Sequence, residues 1–211
     1  MAVTRNGILG LLAAALAAGA GAAPTENARG AELYALCGSC HGAQGAGNEL
    51  FGAPAIAGMG QWYLEAQLRK FQSGWRGGHP ADIEGMRMRP MSRTLKSDED
   101  LTAVAAYVAA LPPTRPEPVL AAGDPVKGQA LFTTCATCHG ADAAGNQQLA
   151  APALVSQNDW YLLRQIAKYK AGVRGFNPQD VPGLQMRGMS MVLADEQATR
   201  DVIAHIMTLS R

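Results

Sequence analysis

The sequence predicts an all-α protein made of two tandem copies of one small helical domain, each wrapped around a large buried group. Three observations carry this. Residues 29–111 lie over residues 127–209 at a constant offset of 98 without a gap, and roughly a third of the aligned positions are identical. Apolar residues recur at helical spacing in each copy, while no segment alternates with the period of two that marks a strand. Aromatic residues make up only 6% of the chain, too few to fill two small cores with side chains alone.

The elements follow in order. The first helix of copy one opens near Asn27. Its counterpart opens at Asp124-Pro125, a capping residue followed by proline at the first helical position, where a missing N–H costs nothing. A second amphipathic segment runs from Trp62 to about Ser73, with Leu64, Leu68 and Phe71 on one face; its partner presents Trp160, Leu162, Ile166 and Tyr169. The last helix of copy one opens at Ser97, with Asp100 three residues on, and presents Leu101, Val104 and Val108. The connections between these segments are rich in Gly, Ala and Pro and need something to wrap around. Between the copies, residues 112–118 hold four prolines in seven positions, which favours an extended, semi-rigid connector. The expected organisation is a leader over 1–23, domain 1 over 24–112, a linker over 113–123 and domain 2 over 124–211.

The leader is read as a signal peptide. Arg5 supplies the positive end, Ile8 to Ala18 the short apolar stretch, and Ala20-Gly21-Ala22-Ala23 the small residues for cleavage before Pro24. The stretch is too short and too rich in Ala and Gly to serve as a membrane span. No later segment is long or apolar enough to cross a bilayer, so the mature chain is expected in the periplasm. A formal charge of +1 excludes a nucleic-acid binder, which needs a basic face. Charges are also balanced within each copy: residues 28–112 carry 8 basic and 8 acidic side chains, and residues 122–211 carry 8 and 7. Partner recognition is therefore expected to depend on local patches.

All four cysteines sit in one repeated pattern, Cys37-Gly38-Ser39-Cys40-His41 and Cys135-Ala136-Thr137-Cys138-His139. Two thiols three positions apart can add to the two vinyl groups of one haem, and the histidine that follows is then placed under the iron. Disulfides do not explain a histidine after both pairs. A single zinc site would draw the pairs together, whereas each repeat holds its own complete set. The sequence thus predicts two covalent haem c groups.

The sixth iron ligand must come from elsewhere in each repeat. His79 aligns with Asn177, and His205 with Tyr107, so neither belongs to a duplicated site. Methionine thioethers are alternative haem ligands, and the duplication sorts the nine methionines. Met86 faces Leu184 and Met191 faces Arg93, while Met88/Met186 and Met91/Met189 survive.

On these residues each half resembles a class I cytochrome c, and the whole chain resembles the dihaem cytochrome c4 family over nearly all of its mature length. The resemblance implies that the second methionine of Met88-Arg89-Pro90-Met91 is the ligand, hence Met91 and Met189, with Met91 following a turn at Pro90. Copy two departs in having Gly188 where Pro90 stands. The resemblance also places a proline carbonyl, that of Pro54 or Pro152, against the imidazole of His41 or His139. Trp62, Tyr63, Trp160 and Tyr161 are candidates to wall the haem pockets and donate to propionates. Arg76 and Arg174 are either propionate partners or solvated side chains.

Ligation by histidine and methionine saturates the iron, which makes electron transfer the expected function, with no catalysis of its own. The resemblance implies a carrier between respiratory redox partners such as a quinol–cytochrome c reductase and a terminal oxidase. The alternative is a dihaem subunit of an oxidoreductase, such as a sulfide-oxidising flavocytochrome. A dihaem peroxidase is disfavoured, because it needs one haem with an open position.

Overall fold

A computed structural model describes Met1 and residues 25–209, with side chains from residue 28 onward. Apart from Met1, the leader expected at 1–23 lies outside the described residues. Among the described residues there are eight α-helices, four in each copy, and no strand. In the first copy these are α1 (Thr25–His41), α2 (Gln61–Ser73), α3 (Ile83–Ser92) and α4 (Asp98–Ala110). In the second they are α5 (Pro125–His139), α6 (Asp159–Lys170), α7 (Val181–Ser190) and α8 (Glu196–Leu209).

The helix starts expected from capping residues are used as such. Ser97 accepts a hydrogen bond from the Asp100 amide at the head of α4. Asp124 accepts from the Val126 and Lys127 amides ahead of α5, with Pro125 in the first turn. Each such cap satisfies amides that have no partner within the helix.

In each copy the first and last helices pack across each other, α1 on α4 and α5 on α8. They meet at Gly30 and Gly128, equivalent positions at which a Cβ would lie 2.4 Å from the Ala103 carbonyl and 1.9 Å from the Asp201 carbonyl. Only glycine lets the two backbones approach this closely. The side-chain core beside each crossing is modest. In copy one it comprises Tyr34, Leu64, Leu95, Leu101, Val104, Ala105 and Val108. In copy two it is built around Phe132, Leu162, Leu193, Val202, Ile203 and Ile206.

The sequence reading missed α3 and α7. The segment Met88–Met91 was expected as a turn at Pro90, but Pro90 lies inside α3. Proline near the end of a short helix forfeits one hydrogen bond without stopping the chain, and the start of this helix is firmly set. Asp82 accepts from the Gly85 amide, and Asp180 from the Gly183 amide. The linker, residues 113–123, carries no helix or strand. It is fastened to copy two where the Val119 and Leu120 amides donate to Asp159 Oδ2 at 2.7 and 2.6 Å.

Side chains of α2 and α6 each reach the head of a helix in the other copy, in an approximately twofold arrangement. Lys70 of α2 pairs with Asp180 at 2.6 Å, and its equivalent Lys168 of α6 pairs with Asp82 at 2.5 Å. On one side only, Glu84 adds contacts to Lys168 at 2.5 Å and to Arg164 at 3.1 Å. Elsewhere the Ala55 amide donates to Asn158 Oδ1 at 2.7 Å, and Gln157 donates to the Ala55 carbonyl at 3.0 Å.

Asp82 makes this interface acid-sensitive. Burial opposes its ionisation, yet the Lys168 ammonium, aided by Arg76 and the Gly77 amide, holds its carboxyl below the ordinary 3.8. Glu84, also held low by Lys168 against its own burial, shares the site. Folded Asp82 thus binds its proton more weakly than the unfolded chain does. Its contribution is complete above the unfolded pKa and is lost as pH falls through the folded one. The melting temperature of Lys168→Met should therefore lie well below that of the wild type at about pH 6, and the gap should close towards about pH 3. Thermal melts across that range check it; a gap that stays constant or widens contradicts the assignment.

Candidate functional site: two cavities at the ends of α1 and α5

The last turn of α1 carries Cys37, Cys40 and His41, and the last turn of α5 carries Cys135, Cys138 and His139. The backbone then turns sharply, through Gly42 in one copy and Gly140 in the other, both with positive φ. In copy one Tyr34 braces this turn by donating to the Gly42 carbonyl at 2.6 Å. His41 and His139 are 7% and 8% exposed. Each imidazole directs Nδ1 to a carbonyl oxygen at 2.8 Å, that of Pro54 for His41 and that of Pro152 for His139. A carbonyl only accepts, so Nδ1 carries the proton and Nε2 keeps a free lone pair. Burial lowers both imidazole pKa values against the opposing effect of this hydrogen bond, which keeps the rings neutral.

Each imidazole opens onto a cavity, about 410 Å³ in copy one and about 180 Å³ in copy two. The first brings together Cys37, Cys40 and His41 with Met88 and Met91 of α3. The second brings together Cys135, Cys138 and His139 with Met186 and Met189 of α7. All four cysteines are free thiols, and burial raises the Cys37 and Cys135 pKa values. Both methionines of each pair line their cavity, so the lining does not choose between them. Met91 is partly buried and Met189 is 39% exposed.

Arg76 and Arg174 are not solvated side chains. They are 8% and 6% exposed and lie over the rings of Phe71 and Tyr169. Arg76 donates to Gln67 at 2.9 Å and, across the domain boundary, to the Tyr161 hydroxyl at 3.3 Å. Arg174 donates to Gln165 at 2.8 Å. The Arg76 Nε–H is buried with no partner in the protein. Tyr63 and Tyr161 line both cavities at once.

Trp62 and Trp160 do not line either cavity, contrary to the expectation that they wall the pockets. On these helices it is the tyrosine and the leucine after it, Tyr63 with Leu64 and Tyr161 with Leu162, that line the cavities. Trp160 instead packs beneath Arg164 at 5.0 Å. His79 and His205 also lie away from both cavities, in ring contact with Phe176 and Phe132.

Several residues around the cavities were not singled out from the sequence. Gln67/Gln165 hold the arginines, and Asp82/Asp180 cap the methionine helices. Gly77 sits at φ +69°, and a Cβ on it would lie 2.1 Å from the Gly85 carbonyl, so the loop after Arg76 packs directly on the head of α3. Gly175 and Gly183 repeat the arrangement, with a corresponding distance of 2.2 Å. Every one of these pairs is identical across the offset of 98. That was the signal available to find them.

The donor set fits a haem. Two thiols stand beside a buried neutral imidazole, thioethers reach the same apolar cavity, and a buried guanidinium with an unmet N–H suits a propionate. An all-α fold with two such sites defines a c-type cytochrome that carries two covalent haems through Cys37/Cys40 and Cys135/Cys138, an electron carrier. Comparison with known proteins agrees. The Cytochrome c family profile matches residues 27–112 and 125–210. A cytochrome c4 of Azotobacter vinelandii is 30% identical over 202 residues, covering 89% of this chain and 89% of that protein. A thiosulfate dehydrogenase electron acceptor of Thiomonas intermedia is 35% identical over 167 residues, covering 74% and 73%. The crystal structure of reduced cytochrome c4 from Pseudomonas stutzeri superposes with a TM-score of 0.65 at 26% identity, covering 86% and 97%. The chain belongs to the dihaem cytochrome c4 family.

Thioether attachment makes a direct prediction. Both haems should stay with the polypeptide through acidic organic extraction. The double variant Cys135→Ala/Cys138→Ala should retain one haem mass by intact-mass spectrometry.

Proposed function

We propose that the protein is a periplasmic electron carrier whose haem irons are held by His41 and Met91 in domain 1 and by His139 and Met189 in domain 2. The observation that carries this is the completeness of each site: every cavity has its own thiol pair, imidazole and thioether pair, all in register across the duplication. Each haem supplies a one-electron couple when bound. The chain's own residues set its surroundings. Pro54 and Pro152 fix the imidazole orientation and leave Nε2 facing inward. The apolar lining keeps water away, and Arg76 and Arg174 offer charge to the carboxylates. Met91 and Met189, rather than Met88 and Met186, are the ligands on the family pattern. The domains are proposed to span 24–112 and 124–211 after removal of the leader at 1–23.

With the iron positions filled by protein ligands, no site is left for a substrate, which supports a carrier without catalysis of its own. Respiratory partners, a quinol–cytochrome c reductase and a terminal oxidase, are one reading. A second is favoured by a specific observation, the similarity to a thiosulfate dehydrogenase electron acceptor. On that reading the donor is a sulfur-compound dehydrogenase, a neighbour of the sulfide-oxidising flavocytochrome considered from the sequence. Purification from the native source discriminates: a shuttle elutes alone, whereas a dedicated acceptor travels in fixed ratio with a dehydrogenase. In either case peroxide turnover with a reducing co-substrate should stay at background, and rapid turnover would overturn the carrier reading.

The ligand assignment has its own test. Oxidised haem with a thioether ligand shows a weak near-infrared charge-transfer band. Met91→Ala should remove about half of it and lower one reduction potential, and Met189→Ala should remove the other half. Met88→Ala should keep the band and cost only packing, about 2 kcal/mol. Loss of half the band in Met88→Ala with a full band in Met91→Ala would reverse the assignment.

A further inference from the structure

We infer that Lys70 and Lys168 are crosswise positioning residues, each holding in place the methionine-bearing helix of the opposite domain. The inference rests on the proposed ligation by Met91 and Met189.

Lys168 belongs to α6 of domain 2, yet its ammonium lies 2.5 Å from Asp82, the residue that caps α3 of domain 1. Lys70 belongs to domain 1 and lies 2.6 Å from Asp180, the cap of α7 in domain 2. These contacts are well removed from solvent. The lysine side chains are 11% and 13% exposed, and the aspartates 2% and 4%. A carboxylate buried this deeply depends on its cation, because losing one partner leaves an uncompensated charge.

Asp82 does three things at once. Oδ1 accepts from the Gly85 amide at 3.3 Å and receives Lys168, while Oδ2 accepts from the Gly77 amide at 3.0 Å. The head of α3, the loop carrying Arg76 and the opposite domain therefore meet at one carboxylate. Helix α3 is only ten residues long, too short to stand on its own hydrogen bonds. Its placement, and hence that of Met91 at its far end, depends on its anchorage.

The arrangement is reciprocal: 70 and 168 are equivalent positions, as are 82 and 180, and all four residues are identical across the repeat. A lysine and an aspartate retained within one domain would serve that domain; here each lysine serves the other. The two sides differ in one respect. Lys168 also holds Glu84, which Arg164 supports, whereas the equivalent positions are Pro182 and Ala66. Domain 1 thus has the more heavily anchored methionine helix. Undocking one domain would loosen the iron ligand of the other, so the two haems share a control on their ligation that does not require electron exchange between them.

The test uses imidazole, which competes with methionine for oxidised haem iron, in the full holoprotein. In a Met189→Ala background the remaining near-infrared band reports domain 1 alone. Adding Lys168→Met should let imidazole abolish that band at a concentration lower by about tenfold or more, while adding Lys70→Met should leave the midpoint within about twofold. In a Met91→Ala background, where the band reports domain 2, the two lysine variants should exchange roles. Asp82→Asn, which keeps a capping oxygen but removes the charge, should reproduce the Lys168→Met result and guards against a folding failure of that variant. Equal weakening of both domains by one lysine variant, or no change in either, would overturn the inference. A failure of the ligand reading is seen earlier and separately, as a full band in the Met189→Ala parent before any lysine is changed.

Discussion

The hydrogen bond from His41 Nδ1 to the Pro54 carbonyl, repeated from His139 to Pro152 at the same 2.8 Å, is the contact on which the rest of each domain turns. It joins the end of the first helix to a loop thirteen residues further on and fixes one tautomer of a buried ring. With Nδ1 spent on the carbonyl, the lone pair of Nε2 has only the cavity to face. The two thiols one and four residues earlier lie on the same helical turn, so the ring, the thiols and the loop form a single rim. Helix α2, helix α3 and the loop at Arg76 then close the remaining sides.

This explains a fold with so little conventional core. The aliphatic cluster of each domain lies beside the crossing of its terminal helices, and that crossing relies on Gly30 and Gly128 for its closeness. Beyond it the chain lines a cavity instead of filling it. A large planar group attached at two thiols supplies the missing apolar contact, so cofactor and core are one and the same requirement.

Pairing the two domains adds a second level of constraint. Tyr63 and Tyr161 border both cavities, and Arg76 reaches across to Tyr161, so the polar edges of the two sites are turned towards each other. The two matched lysine–aspartate contacts in the interface are buried, where they are screened least by salt. Their approximate twofold arrangement follows from duplication: a surface that pairs with its own copy satisfies both partners through one set of residues.

Much of this was legible in the chain alone. The Cys-x-x-Cys-His pairs determine covalent haem because the chemistry needs two thiols and an imidazole at a set spacing, a local matter. The offset of 98 determined two domains, and the capping residues Asp124 and Ser97 marked helix starts through contacts within four residues. The duplication reduced nine methionines to two candidate pairs. What only the tertiary structure decided involves residues far apart in sequence. Pro90 reads locally as a turn, but the anchorage of α3 by Asp82 keeps the segment helical. Trp62 and Tyr63 read alike as pocket residues in sequence; the packing of the two domains puts only Tyr63 on the cavities. The pairing of Lys168 with Asp82 spans 86 residues and two domains. Local chemistry is written in spacing, whereas partners across an interface are set by how two finished domains meet, and no spacing rule encodes that.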